Sequence, residues 1–257
     1  MMVLKSPREI GYLREAGQIA AAALAWAGRN AVPGRTTEEL DAGAEEIIRA
    51  RGATPEFKGY HGFPASICAS VNDEIVHGIP GSRELKEGDV ISIDVGARYR
   101  DFVGDTAWTF QVGEISEDAQ RLLDATEAAL QAAIGAARVG GMLSDIARAV
   151  QNVAEERGYG IVKEYAGHGV GRRMHEDPQV PNYVDDNLLR HDVRLEEGLV
   201  LAIEPMLCIG SGRTRVAPDR WTVLTADGGL SAHFEHSIAF TREGIEILTR
   251  RDEGTAS

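Results

Sequence analysis

Four carboxylates and three histidines hold positions from which they could do hydrolytic chemistry. Asp94 and Asp105 flank a hairpin signal, and a turn centred on Tyr99-Arg100 sets Asp94 directly opposite Asp105, with Cβ atoms about 4.5–5.5 Å apart. Two ionised carboxylates at that distance repel, so a shared proton or a cation must compensate. An aspartate beside a turn is often simple turn chemistry, and the pair alone leaves both readings open. Glu204 changes the weighing, because it ends Leu199-Val200-Leu201-Ala202-Ile203, a run composed like a buried strand where a carboxylate without a partner is rare. Glu235 lies in His233-Phe234-Glu235-His236-Ser237-Ile238-Ala239-Phe240, again inside a strand-like run. Four carboxylates converging on one core are hard to explain without cations. His168, in Gly167-His168-Gly169-Val170-Gly171, is flanked by glycines that let the backbone bring an imidazole close to another surface; the alternative is a loop histidine satisfied by the backbone. His175 lies on the same loop, and His77, in Val76-His77-Gly78-Ile79-Pro80, holds a matching place earlier in the chain. Four carboxylates and one imidazole suit Mn, Fe(II), Co or Zn in a two-metal hydrolytic centre better than a structural zinc site.

The elements that must position these groups repeat. Leu85-Lys86-Glu87-Gly88-Asp89-Val90-Ile91-Ser92-Ile93-Asp94 is matched 110 positions later by Leu195-Glu196-Glu197-Gly198-Leu199-Val200-Leu201-Ala202-Ile203-Glu204. Each is a polar turn followed by a β-rich run that ends in a carboxylate. The pattern predicts an α+β chain of two related halves, residues 1–112 and 113–257, sharing one core in a single catalytic domain. Ser6-Pro7-Arg8-Glu9 reads as a capping box with proline at the first helical position, opening an alanine-rich helix to about Gly28. Thr36-Thr37-Glu38-Glu39 opens a second helix that Gly52 stops. The later half repeats this with helices near 117–138 and 144–157, and short antiparallel strands follow each helix pair. Residues 251–257 are expected to fray.

With 43% hydrophobic and 26% charged residues, the 257-residue chain reads as an ordinary globular protein. Its formal net charge of −13 makes it a poor partner for nucleic acid or an anionic membrane. The charged N-terminal stretch has no signal-peptide pattern, the apolar stretch 19–27 is too short to span a bilayer, and two lone cysteines, Cys68 and Cys208, fit a reducing compartment. The expected location is the cytoplasm.

In this order and setting the residues resemble the pita-bread peptidases, and specifically the type I methionine aminopeptidases, from about Lys5 to Thr249. The resemblance is carried by Tyr60-His61-Gly62-Phe63-Pro64, Val76-His77-Gly78-Ile79-Pro80, Ser92-Ile93-Asp94-Val95-Gly96, Gly104-Asp105-Thr106-Ala107, Gly167-His168-Gly169-Val170-Gly171, Met174-His175-Glu176, Ile203-Glu204-Pro205-Met206, Trp221-Thr222-Val223 and Phe234-Glu235-His236. It implies a curved antiparallel sheet flanked by helix pairs and removal of the initiator methionine from nascent proteins when the next residue is small. It also implies two divalent ions (Co, Mn, Fe(II) or Zn): Asp94 chelating one, Asp105 and Glu235 bridging both, His168 and Glu204 completing the other. A water activated between the ions would attack the scissile carbonyl, with Glu204 as general base, His175 stabilising the oxyanion and His77 contacting the peptide beside the bond. Tyr60, Phe63, Cys68, His77 and Trp221 would line the methionine pocket; without the resemblance, Tyr60, Phe63 and Trp221 read as plain core. Partners implied are nascent-chain N-termini and the ribosome near its exit tunnel, with the enzyme a monomer. Met174 and Val76 depart from many relatives, in ways expected to retune pocket shape rather than chemistry. The rivals are an Xaa-Pro aminopeptidase or prolidase and a non-catalytic binding module on the same fold, the latter disfavoured because all five ligand positions are filled.

Overall fold

The computed structural model describes residues 2–251. The expected fraying of 251–257 falls outside them except for Arg251, whose guanidinium lies 3.5 Å from the centre of the Trp108 ring. Helix α1 (Pro7–Asn30) is opened by the reciprocal capping box, with Glu9 N–H donating to Ser6 Oγ and Ser6 N–H to Glu9 Oε2 at 3.0 Å. Helix α2 (Thr37–Ala50) uses Thr36 and Glu39 in the same way. In the later half, α3 (Glu117–Ala136) is capped by Ser116. Helix α4 (Leu143–Arg157) begins one residue earlier than the sequence suggests, its first turn satisfied by Asp145 and Asp192, and Gly158 ends it at φ 76°.

Among the described residues, the antiparallel strands form four hydrogen-bonded groups. Two of them carry the chemistry. In the first, the long strand Val90–Tyr99 pairs with Ile67–Val71 on one side and Phe102–Gln111 on the other, with α1 over the two long strands and α2 against Ile67–Val71. In the second, the spatial order is Gly244–Ile247, His236–Thr241, Val200–Ile203, Gly167–Gly169, Glu176–Val180. Its apolar residues Leu201, Ile203, Ile238 and Phe240 share a core with Leu122, Leu130, Ile146 and Val150 of α3 and α4. Side chains and backbone of Phe102–Gln111 stitch the two groups together. Glu235 N–H donates to Ala107 O (2.8 Å), Ser237 Oγ to Asp105 O (2.7 Å) and Thr106 Oγ1 to Glu235 O (2.9 Å).

The hairpin register differs from the sequence expectation. The turn is centred on Arg100-Asp101, both with positive φ (50° and 67°), the signature of a type I′ turn. Asp94 therefore faces Ala107, and Asp105 faces Gly96. The two aspartates share one face as diagonal neighbours, about 7–8 Å apart at the backbone, rather than standing directly opposite.

Alanine and glycine let α1 approach this hairpin closely. Ala16, Ala20, Ala23 and Ala27 are fully buried, and a Cβ on Gly104 would strike the backbone of Ala16 and Gly17. Gly104→Ala is expected to destabilise the protein by about 2–3 kcal/mol, a fall in Tm of roughly 5–10 °C at this size. A thermal melt within a degree of the native protein would show that the helix can lift from the strand without penalty.

Candidate active site

Asp94 projects from the middle of Val90–Tyr99 and Asp105 from Phe102–Gln111. Glu204 comes just after Val200–Ile203, where Pro205 ends the strand. Glu235 lies in the break between Ser231–His233 and His236–Thr241, not inside a continuous strand as its sequence suggests. The last register pair of the neighbouring strands is Ile203 with His236, so Glu204 and Glu235 emerge side by side. His168, in Gly167–Gly169, is 94% buried, its Nδ1 held 2.9 Å from Gly169 O. That leaves its Nε2 3.6 Å from Asp105 Oδ2 and 3.7 Å from Glu204 Oε1.

Among the described residues, ligand atoms of Asp105, His168 and Glu235 lie within 4.8 Å of one another. Oδ1 of Asp94, Oδ1 of Asp105 and Oε1 of Glu235 are buried without any hydrogen-bond partner. Burial drives the carboxyls of Asp94 and Glu235 well above the ordinary carboxylate range, and the neighbouring acids add to it, Asp105 foremost in both cases. Burial likewise pushes Asp105 up to about 7, with His168 pulling it back and Glu204 raising it. Such a cluster is self-repelling unless it binds protons or a cation. Its hard oxygen donors, single imidazole nitrogen and unpartnered lone pairs fit a divalent metal ion.

The cluster forms one wall of a cleft of about 250 Å³ that takes in every site residue named from the sequence. The rest of the lining is largely apolar. Phe63 and Trp221 meet edge to face with ring centres 5.2 Å apart. Cys68 is buried, and its thiol is pushed well up by that burial and by the charges of Asp94 and Asp105, so it serves as a small apolar surface. His77 holds a left-handed backbone (φ 60°), with the following Gly78 pressed against Ala69 and hydrogen-bonded to Ser70 Oγ at 3.0 Å. Burial lowers its pKa, against the pull of Glu204.

Three features of the cleft and its surroundings escape sequence reading. Phe57 and His61 also line it. Tyr60, expected only as pocket wall, places its hydroxyl 2.8 Å from His175 Nδ1. His233 is 98% buried, with Nε2 unpartnered and 3.5 Å from Glu204 Oε2; its alternation with Glu235 along one run is the signal that could have marked it.

The model of metallopeptidase family M24 matches residues 11–242, and those bounds enclose all five candidate ligands. The chain belongs to metallopeptidase family M24. This M24 chain is 50% identical over 250 residues to methionine aminopeptidase 1 of Bacillus subtilis (strain 168), covering 97% of this chain and 100% of that one. It superposes on the crystal structure of methionine aminopeptidase from Thermotoga maritima with a TM-score of 0.94 and 42% identity, covering 98% and 100% of the two chains. The prolidase from Pyrococcus furiosus gives a TM-score of 0.79 at 24% identity over 98% of this chain and 66% of its own, a likeness of fold alone. The α+β architecture of this M24 chain is the pita-bread fold. Among its described residues, no helix is long and apolar enough to cross a membrane.

Proposed function

We propose that this M24 peptidase is a methionine aminopeptidase, removing the initiator methionine from nascent polypeptides when the next residue is small. One observation carries the reading: an apolar slot walled by Phe63, Trp221, Cys68, Tyr60 and His77 opens onto the carboxylate and histidine cluster. Such a slot suits an unbranched thioether side chain, and a methionine seated there would have its following peptide bond beside the carboxylates. Asp94, Asp105, His168, Glu204 and Glu235 would hold two divalent ions, with Co, Mn, Fe(II) and Zn all compatible with the donor set. When bound, such ions supply Lewis acidity that polarises a carbonyl and acidifies water.

The chain's own residues do the rest. Glu204 accepts a proton from the attacking water as general base. His175 has its pKa lowered to about 4 by burial and by His168, so it is neutral near pH 7. In the tautomer that accepts from Tyr60 at Nδ1, 2.8 Å away, its Nε2–H is free to stabilise the oxyanion. His77 contacts the peptide beside the scissile bond. His77→Ala should therefore lower kcat/KM by about a hundredfold while elemental analysis finds the bound metal unchanged; loss of metal would refute its role as a non-ligand. The whole chain acts as one catalytic domain of two related halves, working as a monomer in the cytoplasm on chains leaving the ribosome.

The test is peptide cleavage by the metal-loaded protein. Release of methionine from Met-Ala-Ser, with Met-Leu-Ser and Ala-Pro-Ser left intact, is the expected result. Cleavage of Ala-Pro-Ser instead would move the chain to the proline-directed members of the fold, and no cleavage of any peptide would favour a binding module.

A further inference from the structure

Lys5 and Glu176 make a buried ion pair, 2.7 Å between Nζ and Oε2, with side chains only 3% and 5% exposed. Neither takes part in the chemistry above, and both charges sit where water cannot solvate them. Lys5 comes just before the Ser6 cap of α1, and its backbone N–H donates to Gly198 O at 2.7 Å. Gly198 belongs to the turn that leads into Val200–Ile203 and Glu204. Glu176 follows His175 directly and opens the strand Glu176–Val180. Its second oxygen, Oε1, accepts from Arg173 N–H at 3.2 Å, closing the turn 173–176 around the carboxylate. Gly171 completes the enclosure, because a Cβ there would collide with that same carboxylate. Gly171 is itself fastened to the hairpin, its carbonyl accepting from Val103 N–H at 2.9 Å.

The geometry points to Lys5 and Glu176 as positioning residues: their ion pair is a strut that fixes the loop presenting His175 relative to the strand that leads to Glu204. One end of the strut is the turn before the Glu204 strand, and the other is the residue after His175. The His175 ring stands 4.2 Å, centre to centre, from that of His168, so a small movement of the loop shifts it across the metal wall. Misplacement by about 1 Å suffices for a large loss of rate. This inference rests on the role assigned to His175 above.

A double-mutant cycle on the metal-loaded enzyme tests it, with Met-Ala-Ser as substrate. Lys5→Met should lower kcat roughly 10- to 100-fold with KM and bound metal little changed. In a His175→Ala background the same substitution should cost almost nothing further, because the strut acts through that histidine. Should Lys5→Met fold poorly, Lys5→Met/Glu176→Gln removes both buried charges and should show the same dependence on His175. An equal kcat loss in both backgrounds, loss of metal, or native kcat in the charge-free double variant would overturn the strut while leaving the activity intact. Failure is traced to the underlying reading instead, and both fall, if the native protein releases no methionine or His175→Ala turns over normally.

Discussion

Glu204→Ala is expected to lower kcat/KM by about 10³-fold or more, while the protein remains folded. Two losses combine. The substitution removes one of the five donors that would hold the ions, and it removes the carboxylate placed to take a proton from water. The fold should survive because the backbone at this position is held independently, its carbonyl accepting from Asn182 Nδ2 at 3.0 Å. The side chain is 14% exposed and lines the cleft. Glu204→Gln separates the contributions: it keeps the shape and an oxygen donor but not the base, and its loss should be nearly as deep in kcat. Turnover of either variant within a few fold of native, measured by methionine release, would remove Glu204 from the mechanism.

Metal removal should cost stability as well as activity, and the cost should grow with pH. Asp94, Asp105 and Glu235 have folded-state pKa values raised above the ordinary carboxylate range, Asp105 to about 7. In the unfolded chain such groups ionise near pH 4. Between those limits the metal-free folded state binds more protons than the unfolded state, so these acids make it less stable as pH rises. A divalent ion competes with those protons and binds better as they leave. The buried histidines His77, His175 and His236 run the other way: their lowered pKa values favour the folded state as pH rises out of the acid range. Because the histidine effect is present with or without metal, the informative quantity is the difference in Tm between loaded and stripped protein. That gap should be small near pH 5 and widen toward pH 7.5, approaching about 3–4 kcal/mol of stabilisation when metal is several hundred times its Kd. Asp105→Asn should flatten the trend. A gap that is constant across the range would show that the carboxylates are not where the ion binds.

Much of the candidate site is legible in the sequence because each candidate ligand carries a strong local signal, and the structure brings these residues to one cleft. Asp94 and Glu204 hold matched positions in β-rich sequence, His168 is bracketed by glycines, and the capping residues Ser6 and Thr36 open helices that the structure contains. The misplaced hairpin has a specific cause. A type I′ turn is usually announced by Asn-Gly or Asp-Gly, whereas here Arg100-Asp101 adopts it without a glycine. One position of error moved Asp105 from the diagonal to directly opposite Asp94. Glu235 reads as strand in the sequence because apolar alternation continues through it; at the break Phe234-Glu235 its N–H bonds instead to Ala107 O, a contact that no local pattern encodes. The contacts that were not legible span long separations. Tyr60 meets His175, and Lys5 meets Glu176, only once the strands are assembled.

The most direct test of the account is methionine release from Met-Ala-Ser, followed by mass spectrometry, on protein stripped of metal and then resupplied with Mn(II), Fe(II) or Co(II). No release is expected from the stripped protein, with turnover recovered when at least one of these ions is restored. Equal release with and without metal, or none with any ion, would contradict it.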